Sequence, residues 1–212
     1  KQLNIEEAPS GAEKSGAEAV RSWAPLRSFG GEPTQSELLA YFKAVSAESH
    51  LPMVLYLNPG PGANVSIPAT IALSQLERVK YIKESSRDLS RVSRLIAEVE
   101  LSGHAKYFTT MQMLLITLEL GGSGVTLPPP AAMLANKVIQ AYLSGDMKEA
   151  ARLQLQFALF PSRWMHNGLT PVMKAAMNIL GIPAGDPYPP YPPISGEEHK
   201  ALVDYLKTTD LA

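Results

Sequence analysis

The 212-residue sequence contains no cysteine. That absence excludes disulfides and thiolate metal sites, and it fits a cytoplasmic setting. Long apolar runs are missing too: none approaches the ~18 to 20 residues that span a bilayer, so no membrane partner is expected. Neither sign of charge dominates, since 19 Lys and Arg stand against 20 Asp and Glu, a net charge of −1. A chain so balanced, with its acids and bases interspersed, lacks the basic stripe that nucleic acid or an acidic membrane would select. The histidines His50, His104, His166 and His199 are scattered without metal-ligand spacing, and no metal is expected. The glycine-rich run at Gly121–Gly124 is not followed by the Gly-Lys-Ser/Thr of a phosphate loop, and no cofactor is expected. The chain opens at Lys1 and shows no signal peptide; the expectation is that its natural N-terminus lies upstream.

What is present is an alternation of short apolar runs with helical stretches, on a length able to bury a proper core. It is clearest between Leu51 and Ser86. Two runs, Met53-Val54-Leu55-Tyr56 and Val79-Lys80-Tyr81-Ile82, are rich in β-branched and aromatic residues. Between them lie the turn-forming Asn58-Pro59-Gly60-Pro61-Gly62 and a helical stretch from about Pro68 to Leu76. Strand, loop, helix and strand make one βαβ unit with parallel strands. In such units functional groups collect at the C-terminal ends of the strands, where Tyr56 and Lys83 both fall. Burial there lowers a lysine pKa, and a neutral amine attacks carbonyls. The competing reading of Lys83 is a salt-bridged surface lysine, because lysines are rarely buried.

These residues carry a resemblance. Leu55-Tyr56-Leu57-Asn58-Pro59-Gly60, then Thr70-Ile71-Ala72 and Ile82-Lys83-Glu84-Ser85-Ser86, are similar to the dihydrodipicolinate synthase / N-acetylneuraminate lyase family of class I aldolases. The resemblance implies an α/β fold, the TIM (β/α)8 barrel. It implies a Schiff-base lyase, aldolase or dehydratase, acting on a pyruvate-type 2-oxo acid or its aldol adduct. Lys83 would be the nucleophile, Tyr56 the general acid/base and Asn58 a secondary site residue. A small-molecule 2-oxo acid would be the partner, and the protein a homo-oligomer, dimer or tetramer. Gly121-Gly122-Ser123-Gly124-Val125-Thr126 resembles the family's segment before strand eight, which implies that Gly124, Val125 and Thr126 lie close to the substrate carboxylate.

The sequence also departs from that family. Gly11–Val20 resembles the segment leading into the fourth barrel strand, and Pro25 matches the proline at its end. The chain then begins inside the third helix, and strands one to three are absent. Leu26-Arg27 stand where the family carries two tyrosines, one of them a proton relay. Arg21 and Arg27 read either as solvated loop or edge residues or, for one of them, as a fork for a substrate carboxylate. Arg27 is favoured, at the active end of the strand. Pro61 replaces an arginine of the synthase branch, which argues against dihydrodipicolinate synthesis itself; Tyr56-x-Asn58-Pro59 and Phe160-Pro161 look more like the hydratase-aldolase branch. The strand-seven segment lacks the usual Gly-Asp-Asp-like turn. The alternative function is a catalytically inactive or truncated member of the same fold, with a structural or binding role.

Strands are expected near 19–23, 52–56, 79–83, 106–110 and 123–127, with helices between them. Thr34 or Ser36 is placed to cap a helix through Leu38, Phe42 and Val45, and Asp88 to cap one through Leu89–Val99. Residues 1–130 read as the partial barrel and 131–212 as a three-helix C-terminal extension, with helices at 131–143, 147–160 and 170–180. Ser195 and Glu198 form a capping box for a final helix to Leu206. The run Pro187–Pro193 reads as a structural connector, or as a ligand for a proline-binding module.

Overall fold

The computed structural model describes residues 7–27, 30–48, 50–58 and 62–211. It divides into two compact units, 1–126 and 127–212.

The first unit alternates helix and strand: α1 (Glu7–Lys14), β1 (Val20–Trp23), α2 (Gln35–Glu48), β2 (Met53–Leu57), α3 (Ile67–Ser74), β3 (Val79–Glu84), α4 (Leu89–Leu95), β4 (Lys106–Thr109), α5 (Leu114–Glu119) and β5 (Gly124–Val125). All neighbouring strands pair in parallel, in the order β1-β2-β3-β4-β5. A spatial order that follows chain order, with right-handed crossovers, puts the connecting helices on one face of the sheet. A doubly wound sheet would instead reverse its order at a switch point.

The caps explain where the helices start. Thr34 Oγ1 accepts from Glu37 N (3.3 Å), while Glu37 Oε2 accepts from Thr34 N (2.6 Å), a reciprocal capping box at α2. Asp88 accepts from the amides of Ser90 and Arg91 at α4, and Ser66 from Ala69 at α3. Below α4 the helix widens into a π turn over Ile96–Glu100. Glu100 leaves it to accept from Tyr107 N (2.6 Å), Lys106 Nζ (2.9 Å) and Ser123 Oγ (2.9 Å), tying the starts of β4 and β5 together.

One face of the sheet is packed against helices. Met53, Leu55 and Leu57 of β2 and Val79 and Ile82 of β3 are buried with Leu38 and Phe42 of α2, Leu73 of α3 and Val92 and Leu95 of α4. Each such side chain contributes about 1.5–3 kcal/mol on leaving water. The other face carries Arg21, Trp23, Val54, Tyr56 and Tyr81, which are exposed or half-buried. Which residues of β3 reach that face is set by a register shift: Met53 pairs with Val79, but Val54 pairs with Tyr81, so Lys80 is an extra residue. A one-residue slip exchanges the two faces of a strand. Without it Lys83 would lie beside Leu57, on the helix-covered face; with it Lys83 lies beside Tyr56.

β5 is shorter than the five-residue strand expected from the sequence. Ser123 N donates to Tyr107 O and Thr126 N to Thr109 O, but only Gly124 and Val125 form the ladder. The prolines at 128–130 have no N–H with which to prolong it.

The second unit holds four α-helices among its described residues, α6 (Pro129–Leu143), α7 (Met147–Gln154), α8 (Leu169–Ile179) and α9 (Gly196–Leu206), the last of them where the final helix to Leu206 was expected. The helix expected to reach residue 160 stops at Gln154 and tightens into a 3-10 turn over Leu155–Ala158. The capping box expected at Ser195 is not formed. Gly196 opens the helix at φ +56°, Ser195 makes no side-chain capping bond, and Glu198 lies 3.6 Å from His166 instead. Residues 187–193 form neither helix nor strand, and Tyr188 and Tyr191 are exposed. Among the described residues no helix is long and apolar enough to cross a membrane.

Candidate active site

The pairing registers line up one lateral row across all five strands: Trp23, Tyr56, Lys83, Phe108 and Gly124. Lys83 is the buried cation of the row, 8 % exposed. Its Nζ lies 4.7 Å from the centre of the Tyr56 ring and donates to Ser85 Oγ. Trp23 packs edge-on against Tyr56 with ring centres 4.3 Å apart. Asn58 Nδ2 reaches the Tyr56 hydroxyl at 3.5 Å, which makes Asn58 a neighbour of the ring's polar end.

Burial lowers the Lys83 pKa to about 8, with the cations of Arg87 and Arg21 acting in the same sense and Glu84 opposing them. Such an amine is partly neutral at ordinary pH, which a nucleophile for carbonyl carbon requires.

Glu84 follows Lys83 and points the other way. Its carboxylate is fully buried and receives Arg91 Nη2 (2.9 Å) and Nε (3.2 Å), while Arg91 Nη2 also donates to Val65 O (2.8 Å). Burial pushes the Glu84 pKa up against the pull of Arg91. The pair anchors the end of β3 to α4 and so holds the preceding lysine in place. Above it, at the C-terminal ends of β2 and β3, Asn58, Ser85, Ser86 and Arg87 help to line a polar cleft of about 470 Å³.

Not every residue expected at the site is brought there. Arg27, the favoured carboxylate fork, is spent on Glu37, with Nη2 at 2.9 and 2.7 Å from the two carboxylate oxygens. The amide of Thr34 and, after it, the same guanidinium hold the Glu37 pKa at about 2. Arg27 follows Pro25, past the end of β1, where the capping box of α2 presents a carboxylate. Gly124 lies in the lysine's row, two strand spacings away, or about 10 Å. Val125 pairs with Thr109, whose hydroxyl meets Thr117 of α5, so its side chain falls on the helix-covered face; Thr126 is exposed beyond the ladder. Pro59, Gly60 and Pro61 lie outside the described residues.

Of two further residues on the open face, Trp23 was not selected from the sequence, and Arg21 was weighed there as a carboxylate fork but passed over for Arg27. Trp23 stands in the row itself, and Arg21 stands two residues earlier on β1, its guanidinium 5.3 Å from the Tyr56 ring and 5.7 Å from Trp23. The signal available was alternation: once Tyr56 is placed on the open face, residues of β1 in the same parity share it. Among the described residues no group of three or more His, Asp or Glu could hold a metal ion.

A lysine and a tyrosine side by side at the C-terminal ends of parallel strands are the pattern named above, and comparison with known sequences settles the family. The profile of the Dihydrodipicolinate synthetase family matches residues 4–209. The chain belongs to this family. It is 29% identical over 183 residues to the 4-hydroxy-tetrahydrodipicolinate synthase of Moorella thermoacetica, covering 84% of this chain and 62% of that one. The chain thus spans less than two thirds of that relative's length. With the 4-hydroxy-tetrahydrodipicolinate synthase of Methanocaldococcus jannaschii the identity is 32% over 213 residues, covering 94% of this chain and 68% of the relative. Among solved structures, a dihydrodipicolinate synthase of Bacillus anthracis superposes with a TM-score of 0.84 over 97% of this chain and 71% of its own, at 23% identity. At that identity the likeness speaks for the α/β barrel-type fold of the dihydrodipicolinate synthetase family and for nothing finer.

Proposed function

We propose that this member of the dihydrodipicolinate synthetase family is a Schiff-base lyase acting on a pyruvate-type 2-oxo acid or its aldol adduct. The observation that carries the reading is the Lys83 amine, desolvated and set against the Tyr56 ring on the open face of the sheet. The neutral amine attacks the 2-oxo carbon, the carbonyl oxygen leaves as water, and a protonated imine remains on Lys83. That iminium draws electrons from the neighbouring carbon, so a C–C or C–O bond there breaks without a free carbanion. Ser85 Oγ, accepting from Lys83, orients the amine, and the Tyr56 hydroxyl moves protons to and from the adduct. A 2-oxo acid is therefore the small-molecule partner, and no step calls for a cofactor.

The test is reductive trapping with pyruvate on the full gene product. A stable adduct on Lys83, lost in Lys83→Arg, supports the reading, since arginine keeps the charge but offers no neutral amine at a pKa above ~12. Tyr56→Phe should still form the adduct while turning over ~10² to 10⁴ more slowly. A wild-type protein that traps no 2-oxo acid would sink the proposal and leave the inactive member of the fold as the better account.

A further inference from the structure

We propose that Arg87 selects a substrate with a second carboxylate, at the end remote from the 2-oxo acid, so that the substrate class is a 2-oxo dicarboxylic acid; the inference rests on the Schiff-base reading of Lys83. Among the described arginines of the first unit, Arg27, Arg78, Arg91 and Arg94 each pair with a carboxylate of the chain. Arg21 and Arg87 do not. Arg21 is taken up by aromatic rings, its guanidinium 5.3 Å from Tyr56 and 5.7 Å from Trp23. Arg87 is exposed, and its guanidinium makes one hydrogen bond to a described residue, from Nη2 to Gln112 Oε1 at 3.3 Å.

That bond says where the guanidinium lies. Lys83 pairs with Phe108 across β3 and β4, and Arg87 and Gln112 each follow four residues later. Their contact joins the loops after these two strands, beyond the C-terminal end of the row that carries the lysine. The other N–H groups of the fork remain for a planar carboxylate, which a guanidinium meets through two parallel bonds. Arg87 also lines the polar cleft with Asn58 and Ser85. Ser85 accepts from the Lys83 amine and Asn58 reaches the Tyr56 hydroxyl, so the cleft borders the reacting pair.

The charges around these strand ends point the same way. Lys83, Arg21, Arg87 and Arg91 stand against Glu84 and Asp88, four cations to two carboxylates, in a chain whose net charge is −1. Residues 59–61, Pro-Gly-Pro, add no charge. Neither carboxylate answers Arg87: Glu84 is held by Arg91, and Asp88 caps α4. The Arg87 charge is felt at the lysine, where it disfavours the protonated amine. The carboxylate beside the 2-oxo carbon brings one negative charge, and a second one balances the excess. That balance matters most once the adduct has formed, because an iminium on Lys83 keeps its positive charge where a free amine gives it up. A substrate that ends in a methyl or an ester group leaves the Arg87 charge unanswered, which is a penalty against the wrong partner.

The experiment compares cyanoborohydride trapping of 2-oxo diacids with that of monoacids of the same chain length on the full gene product. The pairs are 2-oxoglutarate with 2-oxopentanoate and 2-oxoadipate with 2-oxohexanoate. The wild type should trap at least one diacid in preference to its monoacid. Losing a charged hydrogen-bond partner should lower that preference by about 10- to 100-fold in Arg87→Leu, with Arg87→Lys in between. A wild type that prefers neither diacid, or a preference unchanged in Arg87→Leu, would overturn the inference. If the wild type traps no 2-oxo acid at all, the Schiff-base reading fails, and calorimetry decides Arg87 separately. Lys83→Met, which cannot form the imine, should bind one of the diacids more tightly than its monoacid, and adding Arg87→Leu should remove the difference. Equal binding of diacid and monoacid by Lys83→Met, or a difference that survives the second substitution, overturns the assignment.

Discussion

Lys83→Met should make the protein more stable at neutral pH, and the gain should fade as the pH rises. Unfolded, the lysine binds its proton with the ordinary value of 10.5; folded, its value is lowered to about 8. Between those values folding expels a proton, so the stability of the wild type climbs from about pH 8 toward 10.5. Below about pH 8 the wild type carries the whole penalty of a protonated amine out of water. At 1.36 kcal/mol per pH unit that penalty is about 3 kcal/mol. Methionine fills much of the same volume without a charge, so its core contacts with Tyr56 and the strand persist. The assay is urea unfolding of both proteins at pH 7, 8, 9 and 10. A difference of ~3 kcal/mol at pH 7 that shrinks steadily above pH 8 is expected. A difference that is constant with pH, or a methionine variant that is the weaker protein at pH 7, would refute the depressed lysine value and the desolvation behind it.

The same value governs reactivity: at pH 7.5 about a quarter of Lys83 is neutral, against about one in a thousand for an ordinary lysine. The initial rate of pyruvate trapping should therefore rise with pH to a half-maximum near 8, and a half-maximum above 10 would contradict it. Arg91→Ala strands the fully buried Glu84 and should cost about 3–5 kcal/mol in urea unfolding, less at low pH as Glu84 takes up a proton, whereas Arg27→Ala in its exposed pair should cost under ~1 kcal/mol. Equal losses would show that Glu84 is not desolvated. Tyr107→Phe removes a buried hydroxyl that has no hydrogen-bond partner among the described residues and whose pKa burial pushes far up. It should leave stability unchanged or raise it by up to ~1 kcal/mol, and a loss of 2 kcal/mol or more would reveal a bond to that hydroxyl.

Much of this molecule was legible in the amino-acid sequence because it depends on neighbours in the chain. The order of strands and helices follows from runs such as Met53–Tyr56 and Val79–Ile82 and from local caps such as Asp88, whose oxygen needs only the next turn of backbone. The family could be read from the short motifs around Tyr56 and Lys83 for the same reason. Residues whose fate depends on a distant partner were not legible. Arg27 and Arg21 are equal as letters; only the tertiary structure gives one to Glu37, ten positions on, and leaves the other stacked on Tyr56, thirty-five positions on. Ser195 and Glu198 have the spacing of a capping box, but Gly196 turns the backbone away from it and Glu198 turns to His166. The face on which Lys83 stands was decided in the same way. Strand alternation counted from Val79 would put it on the side of Leu57, under the helices, and a single extra residue at Lys80 moves it to the side of Tyr56. A bulge is a property of two paired strands and not of either one, because it is the partner's ladder that leaves one residue unmatched.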